Sequence, residues 1–211
     1  MIAFLHTSKI HINRFENLVR KFDKKINVKH YVNNDLLVYA LKNNSLHKDG
    51  FEKELLTIKS DAPQLIICTC STYGEECDKR DDVERIDLPI ANFLVKNYKK
   101  IGIAFTVNTT KKISEDMLIN EAKLINKTIE IVSINCSSSW KYFENDEFDN
   151  YELTIANKIN TLASQVDVIF LAQASMEDAK KYLINLNKEV FSSPEFGVKS
   201  YLNKLKTTKL W

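Results

Sequence analysis

Short apolar runs alternate with longer amphipathic stretches along this chain, and the alternation begins afresh near residue 100. In the first round Ile2 to His6, Val28 to Val32 and Leu65 to Cys70 read as buried strands. Phe15 to Phe22, Asn34 to Leu41, Phe51 to Ile58 and Ile90 to Tyr98 read as helices, the first with Phe15, Leu18, Val19 and Phe22 at helical spacing. In the second round the predicted strands are Ile101 to Thr106, Ile129 to Ile134, Val168 to Leu171 and Val190-Phe191. The helices are one capped by Ser114 and running through Ile125, then Tyr151 to Gln165, Met176 to Leu186 and Glu195 to Leu205. Such alternation implies parallel sheets joined by right-handed crossovers, with helices covering both faces.

The restart has the marks of an internal duplication. Phe4-Leu5-His6-Thr7 resembles Ile103-Ala104-Phe105-Thr106, and Ile66 to Thr72 resembles Ile169 to Ser175. Thr7 and Cys70 stand 63 residues apart, and Thr106 and Gln173 stand 67 apart. The expected fold is therefore α/β, with two pseudo-symmetric lobes, each a mainly parallel sheet of about four strands flanked by helices. The lobes would comprise residues 1–97 with 192–211, and residues 98–191. The carboxyl ends of both sheets would border a cleft, where ligands bind in open α/β folds.

Among 211 residues, 30 are Lys or Arg and 28 Asp or Glu, interleaved to a net charge of +2, so no basic patch points to nucleic acid. The apolar start, Met1-Ile2-Ala3-Phe4-Leu5, lacks the basic flank and length of a signal peptide. No apolar run approaches the roughly 20 residues that span a bilayer. A cytoplasmic protein with reduced thiols at Cys68, Cys70, Cys77 and Cys136 is expected.

The chemistry gathers at the strand ends. Cys70 closes its strand and opens the polar turn Ser71-Thr72-Tyr73-Gly74-Glu75. Turn amides lower a thiol's pKa, and the resulting thiolate can attack a carbonyl or move a proton beside a carboxylate. The bland alternative is a small buried hydrophobe, and for Cys68, deeper in the strand, that reading leads. Cys77 is expected either near the surface or in the layer behind Cys70, and Cys136 at a cleft edge. Ser71 and Thr72 offer hydroxyls and amides to an anionic oxygen, as do Thr106 and Thr109 in the second round. His6 is either a donor to a substrate carboxylate, a partner tuning the thiol, or a structural histidine, with Thr7 beside it. Arg85 is either an anion binder or half of a structural pair with Asp87. The spacing Cys-x-Cys-x6-Cys lacks the paired ligands of a structural zinc site, so no metal is expected. Gly74 and Gly102 stand alone, which leaves no phosphate loop.

With these residues in view, the chain resembles the aspartate/glutamate racemase superfamily. Cys70-Ser71-Thr72 is similar to that group's Cys-Asn-Thr turn, and Leu171-Ala172-Gln173-Ala174-Ser175-Met176 to a Leu-Gly-Cys-Ala-Gly-Met turn of hydantoin racemases. The resemblance implies a cofactor-independent racemase, isomerase or decarboxylase acting on a small carboxylic acid, an amino acid or a malonate or maleate type. It also implies Cys70 and Gln173 as the catalytic positions. His6, Thr7, Ser71, Thr72, Thr106, Thr109, Ala174 and Ser175 would bind substrate, and a homodimer is implied by analogy. Gln173 stands where two-base racemases carry their second cysteine, and a carboxamide cannot act as a base near neutral pH. A single-thiol reaction, or a binding or regulatory protein that kept the fold, follows from that difference.

Overall fold

The computed structural model describes residues 1–208. They separate into two compact units, one of Met1–Pro89 with the chain from Pro194 onward, the other of Ile90–Ser193. Residues 209–211, which the sequence reading assigned to the first lobe, lie outside the described residues.

The first unit holds β1 (Ile2–His6), α1 (His11–Phe22), β2 (Val28–Val32), α2 (Asn34–Asn43), α3 (Lys48–Lys59) and β3 (Leu65–Cys68). A 3-10 turn (Ser71–Tyr73), α4 (Gly74–Asp78) and β4 (Glu84–Arg85) follow. The second unit holds α5 (Leu88–Asn97, entered from the last residues of the first), β5 (Lys100–Phe105), α6 (Asn108–Leu124), β6 (Glu130–Asn135), α7 (Trp140–Glu144), α8 (Phe148–Leu162), β7 (Val168–Leu171) and β8 (Glu189–Ser192). Helix α9 (Ser193–Thr208) returns to the first unit.

Each unit has one four-stranded sheet, ordered β2-β1-β3-β4 and β6-β5-β7-β8, with every pairing parallel. The two orders are the same once β1 is equated with β5. Strand β1 is buried throughout and β5 at all but Lys100, as a parallel strand covered on both faces must be. In the first unit Ala3, Leu5, Ile66 and Cys68 pack under Leu36, Phe51, Leu55 and Ile58 of α2 and α3. On the other face Phe4 meets Phe15 of α1 at 5.3 Å between ring centroids. In the second unit Ala104, Ile134, Ile169 and Leu171 pack against Tyr151, Ile155 and Ile159 of α8.

The predicted strands match these elements to within two residues, and the misses have physical causes. Ser114 does not cap α6; it lies inside the helix, fully buried, and the helix starts at Asn108. The segment predicted as a helix over 176–186 is a 3-10 run, Ala174–Tyr182. Three short elements after strand ends, α4, β4 and α7, carry too few residues to show a period and were not legible.

Candidate functional site

Strand β3 stops at Cys68, and Thr69 N donates to Leu5 O at 3.0 Å, carrying the pairing with β1 one step further. Cys70 is the next residue, half-buried, and the turn closes when Tyr73 N donates to Cys70 O at 3.0 Å. The Thr7 hydroxyl and the amides of Thr72 and Tyr73 point at the Cys70 sulfur. Burial and the neighbouring Cys68 outweigh them and push the Cys70 thiol up to about 11. This corrects the expectation of a lowered pKa: at neutral pH Cys70 is a thiol, a proton donor first and a thiolate only after it has given its proton up. Tyr73 anchors the turn from below. Its hydroxyl donates to Leu36 O at 3.0 Å and accepts from His47 N at 3.2 Å, and its ring stacks on Phe51.

His6 is fully buried, and both ring nitrogens are engaged within the unit. Nδ1 meets Thr69 Oγ1 at 2.8 Å and Nε2 meets His30 Nδ1 at 2.8 Å. It is therefore not a free donor to a substrate carboxylate, contrary to the first of its expected roles. Burial, then His11 and His30, lower its pKa to about 2, so the ring is neutral. The side chains at the ends of β1 and β3 thus meet as two pairs, His6 with Thr69 and Thr7 with Cys70.

Arg85 is structural. Its guanidinium is 2% exposed and donates to Asp87 twice, at 2.7 and 3.1 Å, and to Asp78 at 2.5 Å. Arg85 O accepts from Tyr201 of α9 at 2.7 Å. The group lies against Gly74, where a Cβ would come within 2.3 Å of Arg85 Cζ and Nη2. Gly74, the first residue of α4, is glycine because this guanidinium leaves no space for a side chain.

The second unit repeats the strand-end pair. Ala172 N donates to Ala104 O at 2.9 Å, as Thr69 does to Leu5, and Met176 N donates to Gln173 O at 3.0 Å, as Tyr73 does to Cys70. Gln173 therefore occupies the Cys70 position and Thr106 the Thr7 position. Gln173 Oε1 accepts from Thr106 N at 2.7 Å, Thr106 Oγ1 at 3.0 Å and Val107 N at 3.2 Å. These donors were expected to hold a substrate carboxylate at Thr106; the carboxamide oxygen fills that place instead. With its oxygen fixed, the Gln173 amide presents Nε2 as a hydrogen-bond donor. The Thr106 hydroxyl lies 3.3 Å from Tyr151 Oη, which lies 2.9 Å from Ser175 Oγ. Tyr151 was read only as the start of a helix. Its place four residues before Ile155, on the apolar face, was the available signal, because a buried phenol needs a polar partner. Thr109 sits in the first turn of α6 and Ala174 opens the 3-10 run after Gln173.

Two other thiols are corrected. Cys77 is buried with Cys68 in the core of the first unit, which leaves the second of its expected places and not the surface, and Cys136 is fully buried beneath α8, not at an edge. Among the described residues no group of His, Cys, Asp and Glu is arranged to hold a metal ion.

Comparison with solved structures rests on this geometry. An aspartate racemase from Picrophilus torridus superposes with a TM-score of 0.73 at 16% identity, over 96% of this chain and 93% of that one. The fold is that of the aspartate/glutamate racemases. A glutamate racemase from Bacillus anthracis gives a TM-score of 0.74 at 14% identity, over 99% of this chain and 82% of its own. A maleate isomerase from Pseudomonas putida S16, solved with maleate, gives 0.60 at 9%, over 98% and 92%. No family model matches the sequence, and no curated protein does. The fold implied by the sequence resemblance is the fold observed.

Proposed function

We propose that this chain is a cofactor-independent enzyme that moves a proton at the carbon next to a carboxylate of a small acid, with Cys70 as the single thiol. The observation that carries the reading is the strand-end pair in each unit: Thr7 with Cys70 in one, Thr106 with Gln173 in the other. One position keeps a sulfur and its equivalent carries a carboxamide, so two-base racemisation has only one base available. The racemase and maleate-isomerase relatives by fold support the substrate class.

A thiol held near 11 suits a proton donor. In a decarboxylation, the bond from the α-carbon to one carboxylate breaks, CO2 leaves and the electron pair stays as an enediolate. The enediolate carbon takes the Cys70 proton on one face, and the thiolate regains a proton from water. Thr7 and the Thr72 and Tyr73 amides stabilise the thiolate at the moment it forms. Ser71 and Thr72 are assigned to a carboxylate oxygen. By the same resemblance Gln173 is assigned as a hydrogen-bond donor through Nε2 and not as a base. Thr106 holds the Gln173 oxygen, and Thr109, Ala174 and Ser175 stay assigned to substrate binding.

The test is a panel of aspartate, glutamate, hydantoin, maleate and substituted malonates in D2O, scored for deuterium entering the α-carbon and for CO2. Wild type should process one class and Cys70→Ala should lose the activity by at least a thousandfold. Because a carboxamide replaces the second thiol, a binding protein is the competing reading. Saturable stabilisation by one of these acids, with neither deuterium uptake nor CO2 release, would establish that reading instead.

A further inference from the structure

Four polar side chains of the first unit form a line that no step above uses. Thr69 Oγ1 meets His6 Nδ1 at 2.8 Å, His6 Nε2 meets His30 Nδ1 at 2.8 Å, and His30 Nε2 meets Glu16 Oε2 at 3.1 Å. Phe4 stacks on both imidazoles, on His6 at 5.9 Å and on His30 at 5.5 Å, and Phe15 lies 5.4 Å from His6. The line begins at Glu16, whose side chain is 35% exposed on α1, and ends at the residue before Cys70. We propose that Thr69, His6, His30 and Glu16 form a proton relay in which one added proton reverses the hydrogen bonds between the α1 surface and the hydroxyl beside Cys70.

Counting donors gives this result. The Glu16 carboxylate only accepts, so His30 Nε2 carries a hydrogen. If His30 is neutral, its Nδ1 is bare and accepts from His6 Nε2–H. His6 Nδ1 is then bare too and accepts from the Thr69 hydroxyl. Now add one proton to the line. His6 passes its Nε2–H to His30 Nδ1 and takes the Thr69 hydroxyl proton at Nδ1, the added proton replaces that one on Thr69, and Nδ1–H then donates to Thr69 Oγ1. The Thr69 hydroxyl turns to its other acceptor, Leu5 O, at 3.2 Å. Every bond in the line is satisfied in both states, and His6 is neutral in both but changes tautomer. Burial, which holds His6 well below the ordinary histidine range, agrees with a ring that passes protons without keeping the charge.

The charged groups around the line are few. From α1 come His11, lowered to about 4 by burial and then Arg14, and Arg20, which donates to Glu16 at 2.7 Å. From the strand ends come the thiols of Cys68 and Cys70. His6 acts through Thr69 and is a positioning residue for the Cys70 turn. In the state with the added proton the line carries one more positive charge, which favours the Cys70 thiolate.

The test uses the full chain labelled with 15N-histidine, followed by long-range proton–nitrogen correlation from about pH 5 to 8. The relay predicts that, at the midpoint of proton uptake by the line, His6 exchanges Nε2–H for Nδ1–H without becoming charged. Thr69→Val removes the acceptor for Nδ1–H and should lower that midpoint, because one hydrogen bond of the proton-loaded state is lost. Thr69→Ser should restore it. Alkylation of Cys70 by iodoacetamide, identified by mass spectrometry, should fall less than tenfold per pH unit across that midpoint in wild type and in Thr69→Ser. In Thr69→Val the bend should move to lower pH together with that midpoint. His6 keeping one tautomer while the line takes up its proton, or taking the charge itself, overturns the relay. A tautomer exchange with no bend in alkylation overturns its link to Cys70. Neither measurement needs a substrate, so the relay and the proposed activity fail independently.

Discussion

Gly74→Ala tests the architecture behind the Cys70 turn, because two physical effects predict opposite signs for it. Gly74 has helical dihedrals, φ −56° and ψ −42°, and opens α4. On local preference alone, alanine should stabilise by up to about 1 kcal/mol. The tertiary surroundings say otherwise. The new methyl would lie 2.3 Å from Arg85 Cζ and Nη2, more than 1 Å inside ordinary contact, and 2.8 Å from Nε. That guanidinium cannot swing aside, since Asp87 holds it at two nitrogens and Asp78 at the third. Displacing it would strand Asp87, which is fully buried, and removing a partner from a buried ion pair costs roughly 3–5 kcal/mol. Moving the five-residue α4 instead is an overpacking problem of about 1–3 kcal/mol. After the propensity gain, the net expectation is a loss of about 2–3 kcal/mol, near the overlap of the two routes. For a chain of this length that lowers the thermal midpoint by roughly 4–12 °C. Urea unfolding followed by circular dichroism, with the slope checked against wild type, measures it. In an Arg85→Ala background the same change should cost nothing or stabilise, a coupling of at least about 2 kcal/mol in the double-mutant cycle. A Gly74→Ala protein as stable as wild type, or an additive cycle, would refute the packing account.

Stability should fall in acid because two neutral histidines are built into the first unit. His6 and His11 are lowered to about 2 and about 4, chiefly by burial, so the unfolded chain binds protons that the fold refuses. Their contribution is complete above about pH 6.5 and is lost as pH falls below that value, at up to about 2.7 kcal/mol per unit between pH 6 and 4 for two protons. His11→Gln should halve that slope in acid titrations of unfolding; an unchanged slope counts against it. The Gln173 oxygen has three donors, so Gln173→Ala should cost roughly 1–3 kcal/mol by leaving them unpaired. Gln173→Glu should recover most of that loss and titrate below the ordinary glutamate value, which carboxylate carbon shifts would show. Above the histidine range, iodoacetamide alkylation of Cys70 should climb about tenfold per pH unit through pH 10, following a thiol near 11. A plateau near pH 8 would mean that the amides at the turn outweigh burial.

Periodicity determined much of this protein by itself. Apolar runs such as Ile66-Ile67-Cys68 and Ile169-Phe170-Leu171 can only be central strands of covered sheets, and their recurrence with matching flanks announced two units of one topology. Cys70 and Gln173 were legible as equivalent strand ends because both follow such runs at similar spacing. Register and burial decided the rest. His30 falls beside Phe4 and within reach of His6 only because β2 pairs with β1 in one register, and no local pattern encodes that choice. Arg85 and Asp87 form a structural pair because β4 carries Arg85 beneath α4, against a glycine that sequence spacing alone does not connect to it. The direction of the Cys70 pKa was likewise beyond the sequence. The turn supplies the amides that stabilise a thiolate, but the neighbouring core and Cys68 set the larger opposing effect, and desolvation depends on what the rest of the chain packs around the sulfur.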